Sequence, residues 1–216
     1  MSVWTIIPVK PLNRAKSRLT EALSPDQRAQ LAEALFRHVL ATVKQVTQVA
    51  GVLVISRDTK ALAIAREYGA QTVQESGAPE LNNALMRATQ VVAAWRTGAL
   101  LILPADLPLV TPGDIRAMIQ HGREDRTVVI STDRNADGTN AMLIRPPGLI
   151  PYAYGAGSYG RHRALAAQVG AQVIDYESET LMLDIDVPED LALYRSLYDG
   201  SDPLLYDLAA PDQANG

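Results

Sequence analysis

Two short stretches carry acids in positions where they could do chemistry. The run Leu100-Leu101-Ile102-Leu103-Pro104-Ala105-Asp106-Leu107-Pro108 sets a carboxylate immediately beyond a continuous apolar segment, with a proline on each side. Asp106 could be a plain turn or helix-cap residue, but the flanking prolines make a stiff exit that aims the side chain. The second stretch is Leu181-Met182-Leu183-Asp184-Ile185-Asp186-Val187-Pro188. In extended chain, residues two apart share a face, so Asp184 and Asp186 project together while Leu183 and Ile185 point the other way. Two like charges so close repel unless a cation lies between them. A helix cap ahead of Pro188 would account for Asp186 but not for Asp184. The sequence has no cysteine and only three scattered histidines (His38, His121 and His162). An all-carboxylate set selects magnesium or manganese over zinc. Magnesium held by few carboxylates completes its shell with water and substrate phosphates, which points to phosphoryl or nucleotidyl transfer.

A cationic segment complements the acids. Lys10-Pro11-Leu12-Asn13-Arg14-Ala15-Lys16-Ser17-Arg18 carries four basic residues and no acid before Glu21. It follows the first apolar run, so in an acidic chain it reads as a polyphosphate cradle more readily than as a solvated loop. It lacks the glycines and the Gly-Lys-Ser/Thr ending of a P-loop. Gly155-Ala156-Gly157-Ser158-Tyr159-Gly160 matches G-x-G-x-x-G in letters only. Pro146, Pro147 and Pro151 precede it where the dinucleotide motif requires a buried strand. It is equally a surface loop or a glycine turn whose following helix start could hold an anion. Asp137-Gly138-Thr139-Asn140 reads as a turn, and Glu80 and the Ser56-Arg57-Asp58 segment as helix caps.

The elements that must position these groups alternate along the chain. Val, Ile and Leu runs predict strands over 3–9, 51–56, 71–74, 99–103, 127–131, 141–144 and 172–175. Helical periodicity with Ser/Thr-Pro starts at Ser24-Pro25 and Thr111-Pro112 predicts helices from 24 to about 46 and from 111 onward. Further helices are predicted over 59–68, 81–95, 161–169 and 188–198. Residues 146–160 read as irregular. This alternation predicts an α/β fold, a mainly parallel sheet covered on both faces, with ligands at the carboxyl ends of the strands.

Length fits one domain over residues 1–200, followed by a polar tail over 201–216. A hydrophobic content of 47% and a formal charge of -4 indicate a globular chain and count against a nucleic-acid partner. No basic-then-apolar leader and no run of eighteen apolar residues is seen, so a cytoplasmic protein without a membrane partner is expected. An apolar helix face could support a homodimer.

Six spaced motifs together resemble the phosphoenolpyruvate or 2-phospho-L-lactate guanylyltransferase family of coenzyme F-420 biosynthesis. They are IIPVKPLNRAKSRL (6–19), ELNNAL (80–85), LPADLPL (103–109), DGTNAML (137–143), YGAGSYGRH (154–162) and LDIDVPEDL (183–191). Glu80 with Asn83, and Tyr154, depart mildly from the family pattern of a glycine-leucine-asparagine and a phenylalanine. The resemblance implies a three-layer Rossmann-like sandwich of the nucleotide-diphospho-sugar transferase type. It also implies Mg2+ on Asp106, Asp184 and Asp186, with GTP and a small phosphorylated acid as substrates. Thr139, Gly155 and Ser158 would hold the acid, Asn82 would lie near the nucleotide, and Lys10, Lys16 and Arg18 would contact the triphosphate. The rival readings are a nucleotidyltransferase for a sugar phosphate or molybdopterin, and a nucleotide sensor without turnover. The first typically opens with a glycine-rich loop, absent between Pro8 and Arg18; the second would be expected to lose the aspartates.

Overall fold

The computed structural model describes residues 2–76 and 80–198, so the tail expected over 201–216 lies outside the described residues. Seven strands form one sheet in the order β3-β2-β1-β4-β6-β5-β7. They are β1 (Val3–Val9), β2 (Val49–Ser56), β3 (Gln71–Gln74), β4 (Ala99–Ile102), β5 (Thr127–Thr132), β6 (Thr139–Arg145) and β7 (Gln172–Asp175). β6 alone runs against the others: its pairings with β4 and β5 are antiparallel, and the remaining pairings are parallel. The chain steps from β1 to β2 on one side and returns to β4 on the other. β1 and β4 therefore flank a topological switch point, where the carboxyl ends of the strands leave a crevice.

Helices cover both faces. α1 (Pro25–Lys44), α2 (Thr59–Glu67) and α4 (Pro112–His121) pack on Ile7, Val54, Leu101, Val129 and Leu143. α3 (Leu81–Ala93) covers Ile6, Leu53 and Ile102 on the opposite face, and α5 (Ser158–Gln168) covers Ile130 and Met142 there. The starts of α1 and α4 are capping boxes. Ser24 Oγ accepts from Gln27 N while Gln27 Oε1 accepts from Ser24 N, and Thr111 and Asp114 make the same reciprocal pair. This is the three-layer sandwich expected from the alternation and from the resemblance.

Several boundaries differ from expectation by one to three residues: β6 begins at Thr139 rather than 141, so Thr139 and Asn140, expected in a turn, belong to a strand paired with β5. Two further differences lie near the acids and the glycine loop. The chain at 181 is not yet extended: one helical turn, α6 (Glu179–Met182), comes first, and extension begins at Leu183. Ser178 starts this turn, its main-chain oxygen accepting from Leu181 N and Met182 N. α5 starts at Ser158 rather than 161, because Gly157 at its N-cap takes a left-handed backbone (φ 69°) that ends the irregular segment early. The final helix, α7 (Pro188–Ser196), begins at the expected proline. It packs with Leu183 and Ile185 against Leu19, Leu31 and Leu35, a satellite core beneath the two-aspartate segment.

Candidate active site

The basic loop leaves β1 as two single 3-10 turns, Leu12–Arg14 and Ser17–Leu19. Its anchors are apolar at Leu12 and Leu19, both buried, and polar at Asp58. The Asp58 carboxylate accepts from Leu12 N at 2.8 Å while its other oxygen caps α2 through Lys60 N. Between the turns Lys16 adopts a left-handed backbone (φ 57°), which turns its side chain inward, while Lys10, Arg14 and Arg18 stay exposed.

Asp106 lies just past β4, and Ile185 N donates to its carbonyl at 3.2 Å, which lays the 183–187 segment alongside it. Leu183 and Ile185 are buried, as the alternation requires, and Asp184 and Asp186 turn to the other side. Asp190, in the first turn of α7, accepts from Asp186 N and Val187 N, each at 3.0 Å, so helix and acidic segment are fixed together. One oxygen each from Asp106, Asp184 and Asp186 lies within 4.8 Å of the others, the one such grouping of three among the described residues.

Charge in this cluster is only partly balanced. Lys16 Nζ donates to Asp106 at 3.0 Å and to Asp186 at 3.2 Å, and Arg18 lies 3.8 Å from Asp186. Burial alone would lower the Lys16 ammonium, but the two carboxylates outweigh it and hold it above its ordinary value. Burial would raise Asp186, and Lys16 reverses this, leaving it below the usual range. Asp184 has no such cation. Burial, then the charge of Asp106, pushes it up to about 6, although Asn140 Nδ2 donates to it at 3.2 Å. Negative charge in excess of its internal partners, on three oxygens in reach of one point, is what a hard divalent cation would relieve. The donor set fits magnesium.

β6 delivers the second half of the site. The β5–β6 register slips between Ser131, opposite Ala141, and Thr132, opposite Thr139, so Asn140 is an extra residue. Along β6, Ala141 and Leu143 face the α1–α4 layer, and Met142 and Ile144 face α5. Without the slip Thr139 would share the face of Ala141. The bulge re-aims it toward α5 and frees Asn140 to bond elsewhere. Thr139 Oγ1 lies 3.1 Å from Ser158 Oγ and 3.0 Å from His162 Nδ1, all three residues being buried. Asn140 Nδ2 reaches Leu181 O at 2.9 Å as well as Asp184, which couples the hydroxyl pair to the carboxylates through adjacent residues.

The glycine loop is held on three sides. Asp137 accepts from Gly157 N at 2.9 Å, and Asn82 makes two bonds with the main chain of Tyr154, accepting at 2.7 Å and donating at 3.4 Å. Arg161 Nε and Nη2 donate to Ala153 O. Gly155 (φ 118°) takes a backbone conformation that side chains resist. Irregular chain over 146–157 separates β6 from this loop, so the fingerprint-like spacing lacks the strand-turn-helix setting of a dinucleotide motif.

Asn82 therefore clasps the loop, and Glu80 caps α3 through Asn82 N and Asn83 N. Thr139, Ser158 and the start of the glycine turn come together; the three aspartates come together with Lys16 and Arg18. A shallow cavity of about 360 Å³ beside the basic loop is lined by Pro11, Asn13, Arg14, Arg57, Asp58 and Thr59. A larger one of about 440 Å³, lined by Val3, Gln48, Ile119, Arg123 and Arg145, opens at the opposite end of the strands and has no part in this site. The residues that sequence reasoning passed over are Asn140, Asp190 and His162. Only His162 left a signal, four residues after Ser158 and so on the same helix face.

A family model described as guanylyl transferase CofC like matches residues 3–202. The chain belongs to that family. It is 41% identical over 192 residues to a phosphoenolpyruvate guanylyltransferase of Rubrobacter xylanophilus, covering 89% of this chain and 93% of that one. To a 2-phospho-L-lactate guanylyltransferase of Methanothermobacter thermautotrophicus it is 33% identical over 191 residues, covering 88% and 83%. Among solved structures it resembles CMP:2-keto-3-deoxy-manno-octonic acid synthetase complexed with CTP, with a TM-score of 0.63 at 15% identity over 91% of this chain and 98% of the other. A cytidylyltransferase from Leptospira borgpetersenii also has a TM-score of 0.63 at 16% identity, over 96% and 92%. These last two likenesses establish the nucleotidyltransferase-type fold. No helix among the described residues is long and apolar enough to cross a membrane.

Proposed function

We propose that this chain is a magnesium-dependent guanylyltransferase that joins the guanylyl group of GTP to phosphoenolpyruvate, releasing pyrophosphate, in coenzyme F-420 biosynthesis. The carrying observation is the junction of two half-sites at β6. Thr139 belongs to a hydroxyl pair beside the glycine turn whose donors suit an oxyanion, and Asn140 to the three-carboxylate cluster suited to a metal bound to polyphosphate. Phosphoenolpyruvate is preferred over 2-phospho-L-lactate because the relatives named for it run to 41% identity, against 33% for those named for phospholactate.

In this reading the phosphate oxygen of the acid attacks the α-phosphorus of GTP in line, a P–O bond forms, and the bond to the β-phosphate oxygen breaks with its electron pair. The attacking oxygen is already anionic, so no general base is required. His162 agrees with this, since both of its nitrogens are engaged within the fold. The chain's work is positioning and charge neutralisation. Asp106, Asp184 and Asp186 would hold a magnesium ion, whose charge would offset that of the phosphate oxygens. Lys10 and Arg18, both exposed, and Lys16, already among the carboxylates, would stabilise the leaving pyrophosphate. Thr139, Ser158 and the Gly155 main chain would hold the acid.

The test is pyrophosphate release from GTP with each of phosphoenolpyruvate, 2-phospho-L-lactate and 3-phosphoglycerate, with magnesium and with EDTA. Release with phosphoenolpyruvate that EDTA abolishes is expected. Release only with another acid would correct the substrate, and binding of GTP without release would favour a nucleotide sensor.

A further inference from the structure

His162 is buried, lies outside the carboxylate cluster and has no part in the chemistry described above, yet both of its ring nitrogens are engaged. Ala153 N lies 2.9 Å from Nε2, and a main-chain amide can only donate, so Nε2 carries a lone pair. A neutral imidazole then has its proton on Nδ1. That proton is directed to Thr139 Oγ1 at 3.0 Å, which must accept it. Thr139 and Ser158 together own two hydroxyl protons, and the 3.1 Å bond between them uses one. The other has no acceptor among the described residues, whichever hydroxyl carries it.

The geometry points to His162 as a positioning residue that fixes the polarity of the Thr139–Ser158 pair, so that one hydroxyl proton is always presented to an oxyanion of the acid substrate. The inference rests on the reading that this pair holds the acid. If Nδ1 were instead an acceptor, it would draw the Thr139 proton inward, and the pair would turn a lone pair toward an anion. Tyr154 packs edge-on against the imidazole with centroids 4.9 Å apart, and Asn82 holds the Tyr154 main chain, so the ring is kept from turning over. The relay starts from the main chain of the glycine loop and ends at the substrate. Loop position and hydroxyl direction are thereby set by one side chain.

Two amide substitutions separate the ends of the ring. His162→Asn can place an N–H near the Nδ1 position and keep the relay, whereas His162→Gln can place a carbonyl near Nε2 and keep only the Ala153 contact. With GTP saturating, His162→Gln is expected to raise the KM for the acid about ten-fold or more, the effect of losing one hydrogen bond to a charged group. His162→Asn should stay within about three-fold of the parent, and the KM for GTP should move by less than about two-fold in both. Equal rises in the two variants, or a rise shared with GTP, would mean a merely structural histidine and overturn the proposal. The imidazole 15N spectrum of the unmodified protein gives a readout independent of turnover and of variant folding. Protonated Nδ1 with bare Nε2 is expected; the opposite tautomer, or a mixture, overturns it. Absence of pyrophosphate release from the parent protein with every acid would defeat the functional reading, and that spectrum would still decide the tautomer.

Discussion

Replacing Lys16 with methionine removes the one buried cation among the three aspartates while keeping length and leaving the left-handed backbone under the same demand. Its Nζ lies 3.0 and 3.2 Å from two carboxylates, and its side chain is 7% exposed. At an effective dielectric of about 20, each contact has a gross Coulomb value of roughly 5 kcal/mol, most of it offset by the cost of desolvating the ammonium. Breaking a fully buried pair costs about 3–5 kcal/mol. Here the carboxylates are 29% and 41% exposed, and water screens them once the lysine is gone, so about 2 kcal/mol is a fair net loss. For a domain of this size that is a fall in Tm of about 4–8 °C. The fall should appear in full in EDTA and shrink in millimolar magnesium, because a divalent cation can take over the neutralisation. Differential scanning calorimetry with and without magnesium measures both. Equal melting of Lys16→Met and parent in EDTA, or no magnesium effect on either protein, would refute the electrostatic account of this cluster.

Other perturbations have equally definite outcomes. Asp106→Asn should abolish pyrophosphate release while circular dichroism and Tm stay close to those of the parent; retained turnover would remove Asp106 from the metal set. Asp114 accepts from Thr111, Ser178 and Thr180 and thereby ties the start of α4 to the turn that precedes Asp184. Asp114→Ala should cost about 2–3 kcal/mol in urea denaturation, as a lost cap with hydroxyls left unpaired. Burial, aided by the charge of Arg161, lowers His162 from 6.5 to about 4. A folded value below the unfolded one means stability that is complete above pH 6.5 and is lost as pH falls through 4, by about 3 kcal/mol in total. His162→Asn should lose that part of the acid-side slope in urea titrations at stepped pH, and an unchanged slope would exclude the histidine as its source.

Local chemistry was legible where it is written in consecutive residues. The helix starts at Ser24-Pro25 and Thr111-Pro112, the apolar strands and the Asp184/Asp186 alternation each depend on neighbours within four positions, and all are found. What the sequence concealed depends on distant partners. The bulge at Asn140 is a relation between two strands, and only their pairing shows that Thr139 faces α5 rather than the α1–α4 layer. The inward turn of Lys16 likewise depends on Asp106 and Asp186, 90 and 170 positions away. The bond from Tyr154 N to Asn82 Oδ1 crosses 72 positions in the same way. The single turn at Glu179–Met182 was hidden because Leu181, Met182 and Leu183 suit buried extended chain as well as helix.

The most direct measurement of the central claim follows each phosphorus of GTP. With phosphoenolpyruvate and magnesium, label at the α-phosphate should move into a product carrying both guanosine and the acid, and label at the γ-phosphate should leave as pyrophosphate. Recovery of γ-label as inorganic phosphate, or of α-label in GTP alone, would contradict a guanylyl transfer at this site.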